Sequence, residues 1–324
     1  MTTTLPPAAL STPPVPDPVR RPEPSDPVGS SLPPQRLTYY LPGTALTILA
    51  VVLLGFVVHL TVISHLQYAR NQQTAFADFR ADLARGTAPV GQTQVEYVDG
   101  VAGQEHVVDP GTPVAVLRIP AIDLQTVVVS GTSGETLRQG PGHRRDTVLP
   151  GQPGTSVLLG RKGAYGAPFR DLDLLLPGDE IVVVTGQGEH TYRVLGVRRA
   201  GDPVPAPLTD GDGRLTLVTA DGPRYLPQDL LRVDADLVSE PQPAPPRRFG
   251  AAALPASEQA QAGDDAAWTP LMLWCQALFL AGLAVAYLRA RWGGWQAWIC
   301  GLPVFAALGF AATDQIARLL PNLL

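Results

Sequence analysis

The side chains whose types and places could attack a carbonyl or move a proton lie in residues 113–238. The block offers hydroxyls at Ser156 and Thr219, a carboxylate at Asp221, an imidazole at His143, and cations at Arg161, Lys162 and Arg232. It contains no cysteine; the protein's two, Cys275 and Cys300, lie in apolar stretches after residue 267. A hydroxyl at its ordinary pKa is a weak nucleophile and needs a base beside it. Asp221 activates nothing without a partner, so these residue types predict poor nucleophilic catalysis. No metal and no cofactor is expected. The two cysteines do not make the disulfide framework of a secreted domain and read as small apolar residues in lipid.

The elements that must position these residues are short β-rich runs. They are VAVLRI (114–119), LQTVVV (124–129), SVLLG (156–160), EIVVVT (180–185), HTYRVLGV (190–197), RLTLVT (214–219) and LLRVDADLV (230–238). Gly/Pro/Asp turns such as Pro177-Gly178-Asp179 separate them. This pattern, with one or two short helical stretches, predicts a closed or nearly closed β-barrel over 113–238. The expected fold is mainly β, a barrel of seven or eight strands with short helices, joined to three transmembrane helices.

The flanks differ in composition. Residues 1–40 are rich in Pro, Ser and Thr with almost no apolar clusters, which predicts a disordered tail. Residues 41–65 contain the uncharged run TALTILAVVLLGFVVHLTVIS (44–64), long enough to cross a bilayer as a helix. The tail before it favours an anchor over a cleaved signal peptide. His59, near the helix end, is expected to point to the membrane interface. Residues 66–112 read as a helical stalk and linker. Phe76, Phe79 and Leu83 recur at helical spacing, Gly86 is a stop, and 86–112 is loop-like. Residues 239–267 predict an extended or disordered Pro/Ala-rich spacer.

Two further apolar segments, 268–289 and 295–314, predict membrane spans, with Gly282, Gly301 and Gly309 permitting close packing. Arg289 and Arg291 fall between them, and positive charges stay in the cytoplasm. The barrel is therefore expected outside and residues 1–40 inside. The net charge of −5 argues against a nucleic-acid partner.

Several stretches carry a resemblance by their order and spacing: IPAIDLQTVVVSGTSGETLRQGPGH (119–143), LPGQPGTSVLLG (149–160), YGAPFRDLDLLLPGDEIVV (165–183), RLTLVT (214–219) and PRYLPQDLLRV (223–233). Together they resemble the sortases, membrane-anchored cysteine transpeptidases of Gram-positive envelopes, and most closely the actinobacterial class E-like branch. The resemblance implies a sortase-like barrel and three catalytic groups. A thiolate attacks the threonine carbonyl of a sorting signal such as LPxTG and forms an acyl-enzyme. A histidine handles the protons, and an arginine steadies the developing charge.

This chain departs from that pattern at all three positions. Arg161, followed by Lys162, stands where the family has its histidine. Ala220, followed by Asp221, stands at the cysteine, and Leu230 at the arginine. Arg232 shares a strand face with Leu230 and is the candidate stand-in. His143, within GPGH, reads as structural. Removing a nucleophile or base from such a triad costs about a million-fold in turnover. The vestigial groove is expected to be lined by Lys162, Tyr165, Thr219, Asp221 and Arg232. Arg161 or Lys162 is expected either to pair with Asp221 across the vacated site or to be solvated with it at the barrel rim.

The function expected is that of an inactive, membrane-anchored sortase-like envelope module. It would bind a sorting-signal peptide, a surface protein or an active sortase. The alternatives are an active transpeptidase with displaced residues and a structural subunit of a membrane complex.

Overall fold

The computed structural model describes residues 46, 49–50, 52–98, 101–292 and 294–324, so the tail expected at 1–40 lies outside the described residues. A hairpin of β1 (Thr93–Val98) and β2 (Val101–Val107) precedes the barrel. The barrel strands are β3 (Pro113–Ile119), β4 (Leu124–Ser130), β5 (Gly142–His143), β6 (Gly154–Leu159), β7 (Glu180–Thr185), β8 (Gly188–Arg198), β9 (Gly213–Asp221) and β10 (Asp229–Leu237). They close in the order β10-β8-β7-β3-β4-β5-β6-β9. Closure pairs every strand on both sides and so leaves no edge open to aggregation.

The seven apolar runs are all strands, and the eight-stranded barrel is mainly β as expected. The eighth strand, β5, has two residues, too few to show a periodicity. It bridges β4 in parallel and β6 in antiparallel. Alternation along the strands builds the core. Leu215 and Leu217 of β9 and Leu231, Val233 and Ala235 of β10 meet Leu117, Ile119, Phe169, Ile181 and Tyr192 in one buried cluster. The residues between them, including Val218 and Ala220, lie on the outer face.

Among the described residues, three helices are long and apolar enough to cross a membrane: Val52–Arg85, Asp265–Leu288 and Trp295–Leu319. The first carries a π-helical turn at His59–Ile63 and continues as α1 (Ser64–Arg85). Gly86 ends it at φ 68°, the left-handed conformation that favours glycine at a helix stop. The other two spans belong to α2 (Trp268–Trp292) and α3 (Gly294–Leu319). They pack closely at Gly301, where a Cβ would lie 2.8 Å from Val285, whereas Gly282 faces open space.

Two flanking segments and His59 depart from their sequence reading. Residues 86–112 contain the β1–β2 hairpin; the overlooked signal is Asp99-Gly100, a pair favoured in two-residue hairpin turns. α1, the expected helical stalk, packs on the barrel. Ala75 and Phe79 pack on Val116 and Val127, and the Gln72 amide bonds both ways with the Val127 backbone. Segment 239–267 is docked rather than extended. Gln242 N donates to Gly151 O (2.8 Å), Gln187 Nε2 donates to Pro243 O (2.8 Å), and the buried Glu258 pairs with Arg145. Proline content sets local stiffness, but single anchors such as Glu258 decide where the strap lies. His59 is buried between Tyr165 and Phe310 instead of facing the interface, because residues 164–165 and α3 close over it.

Candidate functional site

Strand register brings Arg161, Ala220 and Leu230 together. β6 runs parallel to β9, with Leu159 beside Val218, and Gly160 N donates to Val218 O (3.0 Å). β9 pairs with β10 so that Ala220 faces Leu230. Arg161, Ala220 and Leu230 therefore sit at one end of three adjacent strands. Ala220 and Leu230 join Leu137, Leu159, Val218 and Leu323 in an apolar cluster on the outer face.

Arg161 is the largest fully buried side chain, 2% exposed. Its Nη2 donates to Gly134 O (2.9 Å) and its Nη1 to Leu324 O (3.4 Å). Its guanidinium lies 5.0 Å from the centre of the Tyr165 ring, and that of Arg138 lies 4.9 Å from it. Burial, only partly offset by Tyr165, pushes the Arg161 guanidinium down to about 10. Tyr165 is held between two cations, and its hydroxyl accepts from Arg138 Nη2 (2.7 Å), which also pairs with Asp314 of α3.

Residues 165–167 turn in the left-handed region, with φ of 49° at Tyr165, 76° at Gly166 and 46° at Ala167. Gly166 is required there, since a Cβ would run into the Tyr68 ring of α1. Left-handed backbone at two side-chain-bearing residues stores about 1–3 kcal/mol each. The surrounding packing on α1 and α3 holds it: Ala164 and Tyr165 cluster with Leu60, Ala317, Tyr68 and Leu320.

The remaining predicted site residues are accounted for individually. The Thr219 hydroxyl donates to Gly160 O (2.8 Å) and is buried. Asp221 pairs with Arg199 at 3.4 Å. The expected pairing of Asp221 with Arg161 or Lys162 is therefore not formed, and Arg161 is not solvated at a rim either. β9 ends with Asp221 turned toward Arg199, while Arg161 turns inward under Tyr165. Lys162 is 9% exposed, and its backbone N–H donates to Leu323 O (3.0 Å). Arg232 lies half-buried beside Val218 and Arg198 and makes no ion pair among the described residues. His143 is buried on β5, and its Nε2 lies 2.8 Å from Val148 O. A carbonyl only accepts, so the ring proton sits on Nε2. Burial holds this imidazole down at about 4.

Segment 320–324 was not among the residues the sequence singled out. Pro321 cannot continue α3, and the chain bends into a turn closed by Leu324 N donating to Pro321 O (3.0 Å). Leu323, 1% exposed, fills the apolar cluster over Ala220. Asn322 Nδ2 faces three carbonyls, of Ser257 (2.7 Å), Gln259 (3.0 Å) and Thr132 (3.3 Å). The visible signal was a proline and an asparagine inside an apolar stretch. Nothing in their spacing pointed to the barrel.

A closed eight-stranded barrel thus carries this site beside apolar helices. Residues 117–237 match the family model of the sortase domain, so the chain carries a sortase domain. It is 31% identical over 87 residues to Sortase D of Bacillus subtilis, covering 27% of this chain and 42% of that protein. It is 27% identical over 148 residues to Sortase SrtE1 of Streptomyces coelicolor, covering 41% of this chain and 42% of that protein. The chain thus spans 42% of the length of each of these curated relatives. Among solved structures, sortase E from Streptomyces avermitilis is 30% identical, covering 47% of this chain and 99% of that one, with a TM-score of 0.35.

Proposed function

We propose that this protein is a catalytically silent sortase-like module of the cell envelope that grips a peptide without cleaving it. One observation carries the reading. Arg161, Ala220 and Leu230, which the sequence resemblance puts at the places of the family's triad, meet at one strand end, and their side chains are neither nucleophile nor base. Nearby groups are committed elsewhere: Thr219 to Gly160 O, Asp221 to Arg199, His143 to Val148 O. A hydroxyl without an adjacent base does not attack an amide at a useful rate.

The barrel is assigned to the outer side of the membrane. α2 begins beside the docked segment 239–267, and α3 ends against the barrel at Ala317 and Leu320. The turn between the two helices therefore lies a span away, close to Arg291 in sequence, which suits a cytoplasmic location. The partners in this reading are the membrane and a sorting-signal peptide, a surface protein or an active sortase.

The test is to incubate the full chain, in detergent, with an LPxTG-type peptide and an amine nucleophile. No ligated product is expected, and Thr219→Val and Asp221→Asn should change nothing. Turnover that either substitution abolishes would refute the silent reading and support a displaced active site.

A further inference from the structure

We propose that the outer face of β6, β9 and β10 is a peptide groove whose resident ligand is the chain's own segment 320–324. The groove exchanges this segment for an external peptide of the same chemistry: a proline, a carboxamide residue, then two aliphatic residues. The proposal rests on the reading that the site holds peptides without acting on them.

The segment is held as a bound peptide is held. Its backbone carbonyls are taken by the site: Leu323 O by Lys162 N (3.0 Å), Leu324 O by Ala164 N (3.4 Å) and by Arg161 Nη1 (3.4 Å). These contacts read backbone, not side chain. Selectivity comes from two pockets. The first is apolar, formed by Leu137, Leu159, Val218, Ala220 and Leu230, and it takes Leu323. The second is a ring of carbonyls from Thr132, Ser257 and Gln259, which demands a donor and takes the Asn322 amide. A carboxylate there would face three acceptors with nothing to donate. Gly134 keeps this second pocket open, since a Cβ at that position would lie 2.7 Å from Asn322 Oδ1.

The fit is incomplete, and that favours exchange. Among the described residues, Arg161 Nε and Asn322 Oδ1 are both buried without a hydrogen-bond partner. A buried donor or acceptor left unmet weakens the complex that contains it. An external peptide free to settle independently of α3 can offer an acceptor to Arg161 Nε, while Asn322 Oδ1 leaves with the displaced segment. The resident segment competes through its tether, which gives an effective concentration on the order of millimolar. Occupancy of the groove is thereby linked to the position of α3, through Asp314–Arg138 and the Leu320 contact with the 164–165 loop.

The experiment uses the full chain in lipid nanodiscs and a fluorescein-labelled hexapeptide, Leu-Leu-Pro-Asn-Leu-Leu, read by anisotropy. Leu323→Asp places a carboxylate in the apolar pocket and should expel the segment. It should bind the probe about a hundred-fold more tightly than the wild type, because the tethered competitor is gone. Leu323→Ala, a milder change, should shift affinity in the same direction. The control peptide Leu-Leu-Pro-Asp-Asp-Leu should not bind either variant. Hydrogen exchange at the Lys162 and Ala164 amides should be slow in the wild type, fast in Leu323→Asp, and slow again with saturating probe.

Folded variants that bind the probe no better than the wild type, or equal binding of the control peptide, would overturn the proposal. So would exchange at these two amides that neither variant alters. Mass spectrometry of the recovered probe separates the two readings. A cleaved or ligated probe refutes the silent module, whereas an intact probe with unchanged anisotropy refutes only the groove.

Discussion

Arg161 offers the sharpest test of how the site is held together. It is fully buried, and its guanidinium is lowered from the ordinary arginine value to about 10, chiefly by desolvation. A shift of that size disfavours the charged form by about 3 kcal/mol. The Tyr165 contribution is already contained in that net shift. A hydrogen bond from a charged donor, here to Gly134 O at 2.9 Å, is worth about 1.5–3 kcal/mol and offsets what remains. The opposing contributions nearly cancel.

Arg161→Met keeps most of the length, removes the charge and loses both interactions. Its stability should lie within about 1 kcal/mol of the wild type, as is common when a buried charge gives way to an apolar group of similar volume. Arg161→Ala also opens a cavity and should cost about 2–5 kcal/mol. Urea unfolding of the full chain in detergent, compared at equal m-values, measures both. The pH dependence has a definite sign. The unfolded state binds more protons only from about pH 10 up to the ordinary arginine value, so stability rises with pH in that window alone. Between pH 6 and 9 the Met variant and the wild type should differ by a constant. A loss above about 3 kcal/mol in Arg161→Met would show that the guanidinium stabilises the fold outright, and the cancellation argued here would be wrong.

Three other perturbations follow from the same geometry. The His143 imidazole, held at about 4 against 6.5 when unfolded, binds fewer protons in the folded state. Stability should therefore be flat above about pH 6.5 and fall by about 3 kcal/mol as pH drops towards 4, a slope that His143→Gln should lose in denaturation series. Glu258→Ala strips Arg145 of its buried partner and should cost about 3 kcal/mol, the lower end for a broken buried pair because Arg145 is 16% exposed. Limited proteolysis should then cut within 250–262, and unchanged resistance would mean that the strap does not depend on this pair. Gly166→Ala drives a Cβ into the Tyr68 ring at a φ of 76° and should cost about 2–3 kcal/mol in thermal melts, with its loss concentrated at the α1–barrel contact.

Strands and spans could be read from the chain because their signals are local. HTYRVLGV alternates over enough residues to show β period, and the run 44–64 is apolar for long enough to span lipid. Two-residue β5 and the docked strap could not be read this way. Their positions depend on single long-range contacts, such as Thr132 Oγ1 to Glu258 O across 126 residues of sequence. The same limit explains the pairing expected for Asp221. Sequence places Arg161 and Asp221 on neighbouring strand ends, but burial under Tyr165 and the nearness of Arg199 decided their partners.

The amino-acid order alone determined seven of the barrel's eight strands, the helices apolar enough for lipid, and the absence of a thiol between residues 66 and 267. These are properties of composition and period, which every conformation of the chain shares. Only the folded molecule decided that Arg161 would be sealed beneath an aromatic ring and that Leu323 would cover Ala220. Those outcomes depend on which distant groups compete for the same small volume, and that competition exists only once strands and helices have packed.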